Sequence, residues 1–283
     1  MRIAVTGASG GLGGRVVAMC AAYYPSWECI GLARKDADLL NPATVEPAII
    51  SCRPDVVVHC AAMTAVDVCE EEQSLAMAIN VEGTRVVASV AKKAGAKFVY
   101  ISTDYIFDGK KETPYTEDDP PNPISVYGKT KMLGEGIAAE VLGSLIVRTS
   151  WLYGSAGKSF VSTILRLAST QKELRIVNDQ VGAPTCSADL ALAILRLLEK
   201  DASGIYHVTN SGYCSWFDFA REIIAMWKMD GVTVIPITSL ELGRPAKRPL
   251  NSRLDCSRYE NVTGERMREW RTALADVLCG AAG

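Results

Sequence analysis

Tyr127 and Lys131 form the pair in this sequence best suited to chemistry. They stand four positions apart in a stretch of helical spacing, so both side chains leave one helical face. A positive charge held beside a phenol lowers its pKa from about 10 toward the range in which a proton passes efficiently to a developing alkoxide. Tyr127 is therefore expected to act as a general acid. The same spacing is common on solvated helices, and its value here comes from two neighbours. One is Thr103, in Ser102-Thr103-Asp104 at the end of an apolar run, whose hydroxyl would stand beside the phenol as a donor to the same oxygen.

The other is a glycine turn at the start of the chain. Thr6-Gly7-Ala8-Ser9-Gly10-Gly11-Leu12-Gly13 has G-x-x-G-x-x-G spacing between a strand-like and a helix-like segment. Glycines there allow a tight turn and a close backbone approach to a pyrophosphate, whose charge meets the N-terminus of the following helix. Gly7, Gly10, Gly11, Leu12 and Gly13 are thus expected to bind a dinucleotide. About 20 residues further on, where a carboxylate would read a ribose hydroxyl and an arginine a 2′-phosphate, the second strand ends in Arg34, with Asp36 and Asp38 following. This favours NADPH and leaves NADH open. The bland alternative for Arg34 is a solvated surface charge.

The elements that must position these groups follow from the pattern. Short apolar runs at 3–6, 29–33, 56–60, 98–102 and 145–149 alternate with stretches of helical spacing at 11–24, 74–94 and 126–142. Strands apolar on both faces need helices on both sides, which predicts an α/β fold: a Rossmann-type, doubly wound parallel sheet with right-handed crossovers. The rhythm loosens after about residue 150. Helices are expected near 159–169, 188–200 and 216–229, with strands near 175–178, 205–208 and 232–236. Residues 1–150 are expected to form the dinucleotide-binding domain and 151–283 a smaller C-terminal substrate-binding lobe, with part of 178–209 returning to the main sheet as an alternative.

Composition narrows the partners. A net charge of -2 without basic runs gives no footprint for nucleic acid or an anionic membrane. No apolar run reaches the roughly 20 residues of a membrane span, and because Met1-Arg2-Ile3 runs straight into the glycine turn no signal peptide is expected. Nine cysteines without a C-x-x-C pair, and only two histidines, fit reduced thiols in the cytoplasm and no zinc site. The oligomeric state is not set by these features, and a homodimer is left open.

At these residues the chain resembles the extended short-chain dehydrogenases/reductases, and within them it is similar to the dTDP-4-dehydrorhamnose reductases. The likeness runs through nearly the whole sequence. It is carried by segments 60–67 (CAAMTAVD), 101–109 (ISTDYIFDG), 125–131 (SVYGKTK), 148–151 (RTSW), 178–185 (NDQVGAPT) and 248–254 (RPLNSRL). The resemblance implies that Thr103, Tyr127 and Lys131 form the catalytic set, with hydride arriving from NADPH at C4 of a nucleotide-linked sugar. It further implies that Lys131 bonds the nicotinamide ribose, that Ala61 and Ala62 pass close to the cofactor, and that Asp38 and Leu39 sit near the adenine. Asp104 and Trp151 would hold the sugar. Arg248 and Arg253 would lie near the nucleotide diphosphate, where an arginine fork suits phosphate. By composition alone Trp151 is as readily a core aromatic.

There are departures from the family pattern. Met63 stands where a histidine is usual and Val68 where a lysine is usual, which puts fine substrate contacts in doubt. Arg15 and Ala188 occupy positions at which some members hold magnesium with glutamates, so no such metal is expected. Two rival readings stay open. One is a non-catalytic, NADP-binding regulatory subunit similar to the beta subunit of methionine adenosyltransferase, echoed in His59-Cys60 and Leu254-Asp255-Cys256-Ser257. The other is a nucleotide-sugar epimerase or dehydratase, which would share Tyr127 and Lys131.

Overall fold

The structure is a computed structural model and describes residues 1–155 and 157–281. Its principal elements, in chain order, are β1 (Arg2–Thr6), α1 (Gly13–Tyr23), β2 (Glu28–Leu32), α2 (Pro42–Ser51), β3 (Val56–His59), α3 (Thr84–Lys93), β4 (Lys97–Thr103), α4 (Val126–Ala139) and β5 (Leu145–Thr149). Then come α5 (Phe160–Ala168), β6 (Glu173–Val177), α6 (Ser187–Glu199), β7 (Gly204–His207), α7 (Trp216–Met226), β8 (Thr233–Ile237) and α8 (Trp270–Ala281).

Six strands form one parallel sheet in the order β7-β5-β4-β3-β1-β2. Alternation along β3 shows why both faces must be covered. Val56 and Val58 pack with α1 and α6, whereas Val57 faces the opposite side, where α2, α3 and α4 lie. The strand order reverses between β1 and β3, and crevices outside the carboxyl ends of strands at such a point are where α/β sheets bind ligands. The predicted Rossmann-type sheet is present.

Beyond β5 the chain builds a second apolar cluster around Phe219, Trp270, Tyr153 and Leu274. Here β6 pairs in parallel with β8. Between them the chain rejoins the main sheet: Gly204, Ile205, Tyr206 and His207 of β7 pair with Leu145, Ile146, Val147 and Arg148 of β5.

Two local expectations change. The single helix expected over 74–94 is broken into Gln73–Met77, a π-helical turn Ala78–Gly83, and α3. Within that turn Asn80 closes a hydrogen-bonded ring with Met63, accepting from its N–H and donating to its carbonyl, and it also donates to Thr130. The wider turn thus fixes the loop after β3 against α4. Helix α2 was not foreseen, because Pro42 and the internal Pro47 weaken its helical pattern. Pro42 occupies the first turn, where its missing N–H costs nothing, and Val45 and Ile49 anchor it to the sheet.

Candidate functional site

The glycine turn follows β1 directly. Gly7 has φ +70°, and a Cβ there would lie 2.7 Å from the Ala61 amide nitrogen, so the turn can press onto the end of β3 only as glycine. Helix α1 then begins at Gly13 without a side-chain cap and with no acid in its first turn. Its leading N–H groups and positive dipole end stay available to an anion. Beneath the turn, Thr6 Oγ1 lies 2.7 Å from His59 Nδ1, and His59 Nε2 lies 3.2 Å from Thr84 Oγ1. Burial, with the Lys131 charge adding to it, pushes the His59 pKa down to about 3, so this ring is a neutral strut.

Helix α4 starts at Ser125, whose hydroxyl accepts from the Gly128 N–H at 3.2 Å. A Cβ on Gly128 would come within 2.1 Å of the Tyr105 carbonyl oxygen, so its absence lets α4 lie against the turn that follows β4. That approach brings Tyr127 edge-on to Tyr105, with ring centroids 5.6 Å apart. Both Tyr127 and Lys131 face inward and are buried. Thr103, at the end of β4, donates to Asp104 Oδ1 at 2.8 Å and accepts from the Tyr105 N–H at 3.2 Å.

A cleft of about 460 Å³ opens over these groups. Gly7, Gly10, Gly11, Leu12, Gly13 and Ala62 line one part of it, and Thr103, Asp104, Tyr127, Lys131 and Trp151 another. The remaining candidates are not among its lining residues. Arg34 is 72% exposed at its side chain and pairs with Asp38 at 3.4 Å. Leu39 is buried against Gly83. Ala61 lies beneath Gly7. Arg248 donates to Asp67 at 2.9 Å, and Arg253 donates to Asn251 at 2.8 Å and to the Glu112 carbonyl.

Electrostatics in the cleft correct one expectation. Burial of the Tyr127 phenol raises its pKa instead of lowering it, and the Thr103 hydrogen bond only partly opposes that rise. The lysine itself is pushed down to about 7 by burial, with Glu135 the largest opposing influence. Its Nζ stands 4.0 Å from the centre of the Tyr100 ring. Tyr127 therefore holds its proton at neutral pH, as a proton donor must. Asp104 is pushed up to about 6 by burial.

Cleft and cofactor chemistry fit each other. The turn offers backbone N–H groups and a helix N-terminus with no side chain in the way. Ser102 Oγ, Asp104 Oδ2 and Thr149 Oγ1 are buried and lack a hydrogen-bond partner, and all three residues line the cleft. Orphaned polar atoms of this kind are costly unless a ligand or water meets them. Among the described residues no cluster of histidine, cysteine, aspartate and glutamate is arranged to hold a metal. Arg15 instead donates to Ser155.

Some lining residues escaped the sequence reading. Trp216 stacks on Trp151 with centroids 3.6 Å apart and planes within 8°, and Phe160 lies 4.5 Å from Trp216. The available signal was an aromatic directly after the Ser215 cap of α7, at the head of the run Trp216-Phe217-Asp218-Phe219. Trp151 has φ +46°, an uncommon conformation for a bulky residue and one that clusters at ligand sites.

Comparison with known proteins agrees with this picture. A dTDP-4-dehydrorhamnose reductase of Streptomyces griseus is 43% identical over 289 residues, covering 99% of this chain and 94% of that one. The crystal structure of a dTDP-4-dehydrorhamnose reductase from Clostridium acetobutylicum superposes with a TM-score of 0.95 at 42% identity, covering 100% of both chains. That of a dTDP-4-dehydrorhamnose reductase from Bacillus anthracis, in complex with NADP, gives 0.92 at 38% identity, covering 99% of both. The sequence matches the family described as RmlD substrate binding domain over residues 1–281. On that end-to-end match, the chain belongs to this family.

Proposed function

We propose that this protein is an NADPH-dependent reductase that converts the C4 keto group of dTDP-4-dehydrorhamnose to the hydroxyl of dTDP-rhamnose. The observation that carries the reading is the single cleft in which Thr103, Tyr127 and Lys131 meet the Gly7–Gly13 turn. Bound NADPH supplies the hydride that arrives at the sugar C4.

The chain's own residues would do the rest. Tyr127, kept protonated by burial, gives its proton to the C4 oxygen as negative charge develops there. The Thr103 hydroxyl, which donates to Asp104 Oδ1 in the structure, would turn its single proton from that carboxyl to the same oxygen. Lys131 bonds the nicotinamide ribose, and its charge favours the phenolate left behind. Asp104 and Trp151 orient the sugar, with Trp216 backing the Trp151 ring. Arg34 would meet the 2′-phosphate after leaving Asp38, and Arg248 and Arg253 would serve the diphosphate only after exchanging their present partners. The division of labour proposed is cofactor binding by residues 1–150 and substrate binding mainly by 151–283.

The nine cysteines are all free, which accords with a reducing compartment, and the cytoplasm is the proposed location. Among the described residues no helix is long and apolar enough to cross a membrane. A homodimer is proposed from the family resemblance, and light scattering would measure it.

Turnover decides between the readings. With dTDP-6-deoxy-L-lyxo-4-hexulose and NADPH, absorbance of the reduced nicotinamide should fall, and the fall should vanish in Tyr127→Phe. Silence together with tight NADP binding would instead select the regulatory-subunit reading. Turnover of other keto sugars alone would keep the hydride chemistry and remove the substrate.

A further inference from the structure

One helical turn beyond Lys131, α4 carries Glu135, which is 6% exposed. Its carboxylate is gripped by Arg148 of β5, itself 2% exposed, through two parallel bonds: Nε to Oε1 at 2.9 Å and Nη2 to Oε2 at 2.8 Å. The guanidinium is braced on every side. Nη1 donates to the Glu117 carbonyl at 3.4 Å and to His207 Nε2 at 3.3 Å, and Phe107 lies 5.4 Å away. His207 Nδ1 in turn donates to the Tyr115 carbonyl at 3.1 Å. Burial, with the Arg148 charge adding to it, pushes His207 down to about 3, so the ring stays neutral and accepts from the arginine.

Such a pair is an expensive way to join a helix to a strand, since apolar residues of similar volume commonly do it at no loss of stability. Its location gives it another use. The titratable and charged groups around Lys131 are Tyr127 and Glu135 on its own helix, His59 and Cys60 at the end of β3, and Tyr100 on β4. Burial keeps His59 neutral and holds the Cys60 thiol at about 12, and both phenols are raised by burial. Among these groups the Glu135 carboxylate is the one anion, with Arg148 of β5 as its countercharge; Asp104, pushed up to about 6, is the other carboxyl lining the same cleft.

We propose that Glu135 is a positioning residue for Lys131: clamped by Arg148, it sets the face of α4 against β5 and supplies the negative field that keeps the buried lysine charged beside the cofactor cleft. The proposal rests on the reductase reading for its role in turnover, but the field itself acts with or without substrate.

The test is competitive labelling of the full chain with acetic anhydride across pH, with peptide mass spectrometry reading the titration midpoint of Lys131. Glu135→Gln keeps an acceptor for Arg148 and removes the charge. The midpoint should fall by on the order of one pH unit, and kcat above neutral pH should fall about tenfold at unchanged KM. Glu135→Asp keeps the charge one methylene further back, so it serves if the glutamine variant does not fold, and its midpoint should lie between the other two. An unmoved midpoint in a variant whose circular dichroism and melting match the parent overturns the proposal. A shifted midpoint in a parent chain that reduces no keto sugar upholds the field and removes the reductase reading alone.

Discussion

Lys131 carries its ammonium 4.0 Å from the centre of the Tyr100 ring, so this charge rests on the π face of a β4 residue. Burial dominates, and the folded pKa of about 7 lies well below the ordinary 10.5. Below pH 7 the lysine is charged in both the folded and the unfolded chain, and the folded state bears the full desolvation cost. Between pH 7 and 10.5 the folded state sheds the proton and that cost is relieved. The lysine's own contribution, read as the difference between the parent and Lys131→Met in urea unfolding, should therefore rise by about 1.4 kcal/mol per pH unit from 7 to 8.5, against the buried thiols, whose raised pKa values act in the opposite sense.

Acid acts through other groups. His59 and His207 are each pushed down to about 3, so the folded chain excludes two protons that the unfolded chain takes up below about 6.5. Asp104, pushed up to about 6, works in the opposite sense, because its folded form takes a proton before the unfolded one does. The balance between pH 6 and 4 is about one proton, and stability should fall by roughly 1.4 kcal/mol per pH unit. His207→Gln should flatten the slope, whereas Asp104→Asn should steepen it.

Replacing Tyr127 with phenylalanine removes the proton donor and leaves the edge contact with Tyr105 in place. Turnover should drop by about 10²–10⁴-fold. NADP binding, followed by quenching of tryptophan fluorescence, should stay within a factor of about 2–3, since only a hydroxyl is lost. Binding that collapses along with turnover would count against the assigned role.

Arg34 tests cofactor choice. Its side chain is largely exposed and spends only a weak surface pair with Asp38, which is inexpensive to give up. Arg34→Ala should weaken NADPH binding by about tenfold, the scale of a charge-assisted hydrogen bond, and leave NADH nearly unchanged. Equal losses for both cofactors would remove the 2′-phosphate from the account.

Gly7→Ala puts a Cβ 2.7 Å from the Ala61 nitrogen at a backbone φ of +70°. The turn must shift, at a cost of about 1–3 kcal/mol, and cofactor affinity should fall more than the melting temperature does. Isothermal titration beside calorimetric melting would separate the two.

Much of this was legible in the residues themselves. The doubly wound sheet follows from apolar runs such as Val56–His59, because a strand with no polar face has to be covered twice. The glycine turn and the Tyr127–Lys131 spacing follow likewise, since local backbone geometry converts sequence spacing directly into a shared position or face. Helix α2 was obscured because its prolines weaken the pattern, and the break at Ala78–Gly83 because it serves Asn80, whose partners lie 17 and 50 residues away.

What no local pattern could settle is the electrostatic state of the site. Spacing puts an ammonium near a phenol, but the pKa of each depends on how much water the fold removes and which distant charges it brings in. Here the fold buries both groups, lays the lysine on Tyr100, and carries Arg148 from β5 to the carboxylate one turn further along α4. Likewise the family resemblance placed Arg248 and Arg253 near a diphosphate, whereas the fold decides that Arg248 now pairs with Asp67, 181 residues away. The sequence by itself determined which groups share a helix or a turn. Tertiary burial decided which of them keep their charges, because desolvation depends on the whole packed surroundings and not on neighbours along the chain.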